Sequence, residues 1–328
     1  MPPAIEVSHL KKVFGSVVAV EDVSFTVSKG QIFGFLGPNG AGKSTTINIL
    51  CTLLKPTAGR ALVNGYDCLR EPHRVRKSIG VVFQDPTLDR DLTAYENLYY
   101  HAVLYDVPPD RRKHLVEEAL EFVGLKSRKD TLVRHFSGGM RRRLEVARAV
   151  VHQPEVLFLD EPTTGLDPQS RAALWDYIKE LPEKKGVTVF MTTHYMDEAE
   201  ICDRIAIIDH GRIIAEGSPD ELKASLGGDV IYIKVRDSKE ALKKLYSVFP
   251  DATLKGEEIA ITVSSGPEKA PEILNLLGRD VLSVRLQRPT LNDVFLHLTG
   301  RQIRPESLDE EDELKEAIRS YRRRFDRT

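Results

Sequence analysis

Apolar residues in the first two thirds of the chain fall in short β-branched runs separated by polar and glycine-rich stretches. Four of them, "IFGFLG", "IGVVFQ", "VLFLDEP" and "VTVFMTTH", are apolar without alternation, which predicts strands buried on both faces of a mainly parallel sheet. "IEVSHL" and "VEDVSFTV" alternate instead and predict a small antiparallel subsheet. "RIAIIDHGRIIAEG" adds β structure near residue 210. Between Gln84 and Pro154 the β signals stop, and "TAYENLYYHAVLY", "RRKHLVEEALEFVGL" and "GMRRRLEVARAVVHQ" have helical periodicity, predicting a helical insertion over about 85–154. Thr93 and Glu96 form a T-x-x-E capping box at its first helix.

From Gly227 the pattern changes to strand, helix, two strands, helix, strand ("VIYIKV", "KEALKKLYSVF", "ATLKG", "EIAITVS", "EKAPEILNLLG", "VLSVRLQ"), the order of an α+β ferredoxin-like domain. "SLGGD" at 225–229 reads as the linker. The expected organisation is an α/β domain over 1–226, a C-terminal α+β accessory domain over 227–300 and a charged helix over 301–328. That last helix has a capping box at Ser307 and Glu310 and an apolar stripe of Leu314, Ile318, Tyr321 and Phe325.

Composition narrows the class. With 328 residues, 41% hydrophobic, 29% charged and a net charge of −2, the chain can bury a large core, and its overall charge recruits neither nucleic acid nor an anionic membrane. Cys51, Cys68 and Cys202 form no CxxC pair, which argues against a disulfide framework or a zinc site and fits a reducing cytoplasm. The N-terminus has no apolar core of signal-peptide length, and no uncharged stretch approaches the ~20 residues that span a bilayer.

The candidate chemistry begins at "GPNGAGKST", Gly37 to Thr45, which fits G-x-x-x-x-G-K-[ST] between a strand and a helix. In this loop the backbone around Asn39, Gly40, Ala41 and Gly42 can turn successive N–H groups toward phosphate oxygens. Lys43 brings a cation to the β and γ phosphates, and Ser44, followed by Thr45, offers a hydroxyl to Mg²⁺. "VLFLDEP" ends a strand in two carboxylates: Asp160 can hold the metal through water, and Glu161 can act as general base on a water attacking the γ-phosphate. A solvated acidic turn is the rival reading. "HFSGGMRRRLEVARAV" puts Ser137, Gly138 and Gly139 before a basic helix, a second anion-attracting helix N-terminus roughly a hundred residues past the first.

"GPNGAGKST", "FQDP", "FSGGM", "VLFLDEP", "GLDP" and "TTHYMDEAE" stand in the order and approximate spacing of an ABC-transporter nucleotide-binding subunit, which residues 3 to 222 resemble. The resemblance implies a P-loop NTPase ABC cassette that hydrolyses Mg-ATP. It also implies that Ser137, Gly138 and Gly139 bind the γ-phosphate of ATP held by a second copy, so that two head-to-tail subunits enclose two nucleotides. Gln84 resembles the glutamine that reaches Mg²⁺ and the attacking water, and Asp167 belongs to the matching "GLDP". His194 resembles the histidine on the γ-phosphate, against a surface or packed histidine as the rival. Phe14 matches the aromatic that stacks on adenine, with core packing as its rival. Met140 departs from the family's commoner Gln and cannot donate a strong hydrogen bond.

Three classes compete. A small-molecule kinase would not need the signature segment. A soluble ABC ATPase of DNA repair or translation would carry a long coiled-coil insertion or a second cassette. The energising subunit of an exporter, peripheral on the inner face of the membrane through a separate permease, fits what remains. "LQRPTLNDVFLHLTGR" and "FSGGMRRRLEVARA" are similar to the daunorubicin-resistance exporter group, whose substrate is chosen by the permease.

Overall fold

The computed structural model describes residues 2–300. The N-terminal unit is built on a ten-stranded sheet. Its first elements are β1 (Ile5–Phe14), β2 (Val17–Val27), β3 (Ile32–Leu36), α1 (Lys43–Leu50), β4 (Ala58–Val63), β5 (Tyr66–Asp67), α2 (Pro72–Ser78) and β6 (Ile79–Val82). Then come α3 (Ala94–Leu104), α4 (Pro109–Phe122), α5 (Gly138–Val150), β7 (Val156–Asp160), α6 (Pro168–Lys185), β8 (Thr188–Thr193), α7 (Met196–Ala199), β9 (Arg204–Asp209) and β10 (Arg212–Gly217). The strand order is β5-β4-β1-β2-β10-β9-β3-β8-β7-β6.

The two hydrophobic patterns sort into the two halves of this sheet. The alternating β1 and β2 pair antiparallel, as do β1 with β4 and β4 with β5. The apolar runs β3, β6, β7, β8 and β9 pair parallel, and every residue of β3, β7 and β8 is buried. One parallel bridge, Arg212 to Asp22, joins β10 to β2. The core is centred on Phe25, Phe33, Phe35, Phe158 and Phe190, with ring centroids 5.4–5.7 Å apart, spacings at which aromatic pairs attract beyond simple burial.

The register places the motifs. Leu36 pairs with Thr193 and Asp160 with Thr192, so β3, β7 and β8 end side by side. The loops that follow, bearing Lys43, Glu161 and His194, therefore emerge from one edge of the sheet, where ligands of open α/β sheets collect. The insertion between β6 and β7 is helical as expected and has its own core, including Leu98, Val116, Leu120, Val133 and Leu144. Both halves of the Thr93–Glu96 capping box form.

A second compact unit begins at Gly217, earlier than the linker expected at 225–229. The reason is α8 (Pro219–Ala224), which packs on α11 (Leu291–Thr299) of the same unit. Between them run β11 (Asp229–Val235), α9 (Ser238–Tyr246), β12 (Thr253–Lys255), β13 (Glu258–Val263), α10 (Gly266–Leu277) and β14 (Val281–Gln287). The strand order β12-β13-β11-β14, with every neighbour antiparallel, is the ferredoxin-like arrangement. Ile231, Ile233, Ile259 and Ile261 pack there against Leu245, Ile273 and Leu277. The charged helix expected over 301–328 lies outside the described residues.

Phe190 is fully buried and touches four other rings. Phe190→Ala is expected to cost about 3–5 kcal/mol, read as a lower denaturant midpoint at unchanged slope. An unshifted midpoint would contradict this account of the core.

Candidate functional site

The loop between β3 and α1 winds around the Lys43 side chain. Lys43 is 4% exposed, and its Nζ donates to the carbonyls of Gly37 (2.9 Å) and Pro38 (3.0 Å) while lying 3.3 Å from Glu161 Oε1. Gly42, at the N-cap of α1, has φ of 105°, and a Cβ there would sit 2.5 Å from the Ala19 carbonyl oxygen. Only glycine fits that position. No side chain caps the first turn of α1, so its N–H groups are left for an anion.

The two carboxylates at the end of β7 are held differently. Asp160 Oδ1 accepts from Thr192 Oγ1 at 2.6 Å and from Ser44 Oγ at 3.3 Å. Burial raises its pKa above the usual carboxylate range, although both hydroxyls pull it down. A buried carboxylate beside a serine hydroxyl is a pair of hard oxygen donors, the type that Mg²⁺ takes, so the residues present fit that ion. The same Thr192 hydroxyl accepts the Glu161 N–H at 3.0 Å and so orients both acids.

Glu161 has a left-handed backbone, φ 45°, a strained conformation for a non-glycine residue that aims its side chain away from the strand direction. Its Oε1 lies 3.3 Å from Lys43 Nζ and 3.2 Å from His194 Nδ1, the latter contact being short but not aligned as a hydrogen bond. Burial pushes its carboxyl up, but His194 and Lys43 outweigh that and hold it at about 2. With the folded pKa below the ordinary 4.5, the stabilisation is present above about pH 4.5 and is lost as pH falls through about 2. Glu161 is thus ionised throughout the physiological range, and in this pairing it is a weak base.

Lys43, Ser44, Asp160, Glu161 and His194 therefore form one group. Ser137, Gly139 and Asp167 form another. Ser137 is exposed and caps α5, its Oγ accepting the Met140 N–H at 3.2 Å, so the Met140 side chain takes no part in the cap. Gly138 is exposed as well. At Gly139 a Cβ would come within 2.3 Å of Ser170 Oγ, and the Ser170 N–H caps onto Asp167 Oδ1 at 3.0 Å. Among the described residues none of this second group hydrogen-bonds to the first. Gln84 follows β6 and is exposed, and no described hydrogen bond joins it to Ser44, Asp160 or Glu161. Phe14 ends β1, is 2% exposed and has Lys12 Nζ 4.8 Å from its ring centroid.

Sequence reasoning assigned no role to three supporting side chains. Thr192 and Thr193 are the polar pair that closes a strand apolar from Val189 to Met191, which was the available signal. Glu198, 2% exposed, accepts from Thr193 Oγ1 at 2.6 Å and from Thr163 Oγ1, tying the end of β8 to the turn after Glu161. Burial raises its pKa, against the pull of the two hydroxyls.

The comparisons with known proteins identify the family. Residues 20–164 match the family model described as ABC transporter, and residues 217–299 match the ATP-binding protein DrrA1-3-like C-terminal domain. The chain is 42% identical over 316 residues to the daunorubicin/doxorubicin resistance ATP-binding protein DrrA of Streptomyces peucetius, covering 94% of this chain and 96% of that one. It is 40% identical over 302 residues to the Nod factor export ATP-binding protein I of Rhizobium sp. (strain N33), covering 92% and 98%. Among solved structures it resembles the ATP-binding cassette MJ0796 in a dimeric post-hydrolysis state bound to ADP and Pi, with a TM-score of 0.59 and 27% identity over 65% of this chain and 98% of that one. With its phosphate loop, carboxylate turn and accessory domain all accounted for by these matches, the chain belongs to the ABC transporter ATP-binding proteins of the DrrA type and is an ATPase.

Proposed function

We propose that this ATPase is the energising subunit of a membrane exporter, peripheral on the inner face of the membrane, that hydrolyses Mg-ATP between two head-to-tail copies to drive a separate permease. The observation that carries the chemistry is the contact of Lys43 with Glu161. The β and γ phosphates of ATP compete with Glu161 for the lysine cation. As Lys43 turns to the phosphates, one of the two groups that depress Glu161 leaves it, and the carboxylate becomes a stronger base for the attacking water. His194 remains beside that carboxylate, within reach of a γ-phosphate. Ser44, Asp160 and, in this reading, Gln84 would hold Mg²⁺, which would supply charge neutralisation at the phosphates. Phe14, 2% exposed, is packed within its own chain, as the core-packing reading expects, and is not among the proposed nucleotide contacts. Exposure of Ser137 and Gly138, apart from the phosphate loop of their own chain, supports service to the partner's nucleotide, with Asp167 close to that interface.

The relatives' names support an exporter: one confers daunorubicin and doxorubicin resistance and another exports Nod factor. No helix among the described residues is long and apolar enough to cross a membrane, and in this reading a separate permease supplies the transmembrane path. The exposed side chains of Tyr100, Val103 and Leu104 lie at helical spacing on α3 and support a protein-docking face on the insertion.

Three outcomes test this reading. Glu161→Gln, whose amide cannot accept a proton, is expected to bind ATP, hydrolyse it at a rate lower by about a hundredfold or more, and accumulate as a dimer with ATP and Mg²⁺. Light scattering that finds only monomer in a folded sample rules out the sandwich. Cysteine pairs introduced at Ser137 and beside the phosphate loop are expected to crosslink different chains when ATP is present, and bonds formed within one chain would refute the exchange of signatures. Leu104→Glu, at a side chain 79% exposed, is expected to leave ATP binding unchanged while abolishing co-purification with the permease. Undiminished co-purification would remove α3 as the docking face.

A further inference from the structure

One of the three consecutive arginines in α5 points inward. Arg142 is 8% exposed and Glu145, one turn on, is 3% exposed. A guanidinium has five N–H donors, and at Arg142 each has an acceptor. Nε donates to the Pro162 carbonyl at 2.5 Å. Nη1 donates to the Phe83 carbonyl at 2.6 Å and to Glu145 Oε2 at 2.7 Å. Nη2 donates to the carbonyls of Asp160 and Glu161, both at 3.3 Å. Glu145 Oε1 in turn accepts the Thr87 N–H at 3.0 Å. One turn further along α5, Arg148 Nη1 donates to the Thr87 carbonyl at 2.7 Å.

This arrangement has a direction. Three of the five bonds grip successive carbonyls of the turn that bends Glu161 into its left-handed conformation. A fourth grips the residue before Gln84. The guanidinium itself rides on the helix whose N-terminus is Ser137. Turn, glutamine segment and signature helix are therefore fixed to one rigid planar group, and three of its bonds hold the carbonyls on and beside the strained Glu161 backbone. Removing one partner of a buried charged network is costly, whereas removing both charges together can be nearly neutral for stability.

Building on the proposed function, we propose that Arg142 is the positioning residue that sets the Glu161 turn and the Gln84 segment relative to the signature helix, so that docking of Ser137 on a partner's nucleotide is felt at the general base. Arg142 touches neither nucleotide nor water. Its effect lies on the geometry of hydrolysis rather than on ATP affinity.

The test uses the full chain and compares wild type with Glu161→Gln, Arg142→Lys and the double variant Arg142→Met/Glu145→Met, following melting temperature, ATP affinity, kcat and KM. The double variant removes the buried pair without leaving either charge alone. It is expected to stay folded and to keep ATP affinity within about threefold, while kcat falls by about ten- to a hundredfold with little change in KM, the signature of a group misplaced by about an ångström. Arg142→Lys keeps the charge beside Glu145 but not the fork, and is expected to recover part of the loss. A folded double variant with wild-type kcat overturns the proposal. Should the double variant not fold, a wild-type kcat in Arg142→Lys does the same. If wild type does not hydrolyse ATP, or Glu161→Gln hydrolyses it as fast as wild type, the proposed function falls first and this inference with it.

Discussion

The in-register parallel pairing of β3, β7 and β8 is the constraint on which the site depends. Both faces of these strands are buried, but they are filled differently: a shift by one residue would exchange Phe33, Phe35, Phe158 and Phe190 for Gly34, Leu157, Val189 and Met191 and leave the core unfilled. The phenylalanine cluster below β3, β7 and β8 enforces the register. Given that register, Asp160, Thr192 and the loop that carries Lys43 meet without further design. Each polar group at the edge then completes another's hydrogen bonds: Thr192 serves both acids, and Glu198 serves two threonines.

At this edge the Glu161 carboxylate is flanked by Lys43 and His194 of its own chain. Glu161 Oε1 lies 3.3 Å from Lys43 Nζ and 3.2 Å from His194 Nδ1, and these neighbours keep the carboxylate from protonation. In the proposed mechanism, a polyanion that draws the lysine aside would free this carboxylate for chemistry. The same side chains thus provide resting stability and a condition for chemistry.

Much of this could be read from the sequence, for identifiable reasons. Apolar runs without alternation marked β3, β6, β7 and β8 because both faces of those strands are covered. The Thr93–Glu96 box marked the start of α3 because capping is local. The phosphate loop and carboxylates were visible because their chemistry demands particular residues at fixed spacing. The β4–β5 hairpin was not read, although Asn64-Gly65 with φ of 52° and 78° is the dipeptide that a tight type I′ turn favours. Arg142 could not be singled out from Arg141 and Arg143 by composition, since its role depends on carbonyls brought to it by the tertiary fold. The start of the second unit was misjudged because the contact that assigns α8 to it, with α11, spans about seventy residues of chain and leaves no local trace.

The sheet order also bears on how the chain is made. β2 waits for β10 to supply its parallel neighbour, Arg212 opposite Asp22, and β6 waits for β7 across the helical insertion. Pairings so distant in sequence are slow to form, and they leave strand edges open in the meantime. During synthesis the antiparallel β1–β2 ribbon can close early, but the parallel half cannot be completed until residues beyond 200 have left the ribosome. The edge that gathers Lys43, Glu161 and His194 is consequently among the last features to assemble, so the chain leaves the ribosome with its motifs made long before they meet.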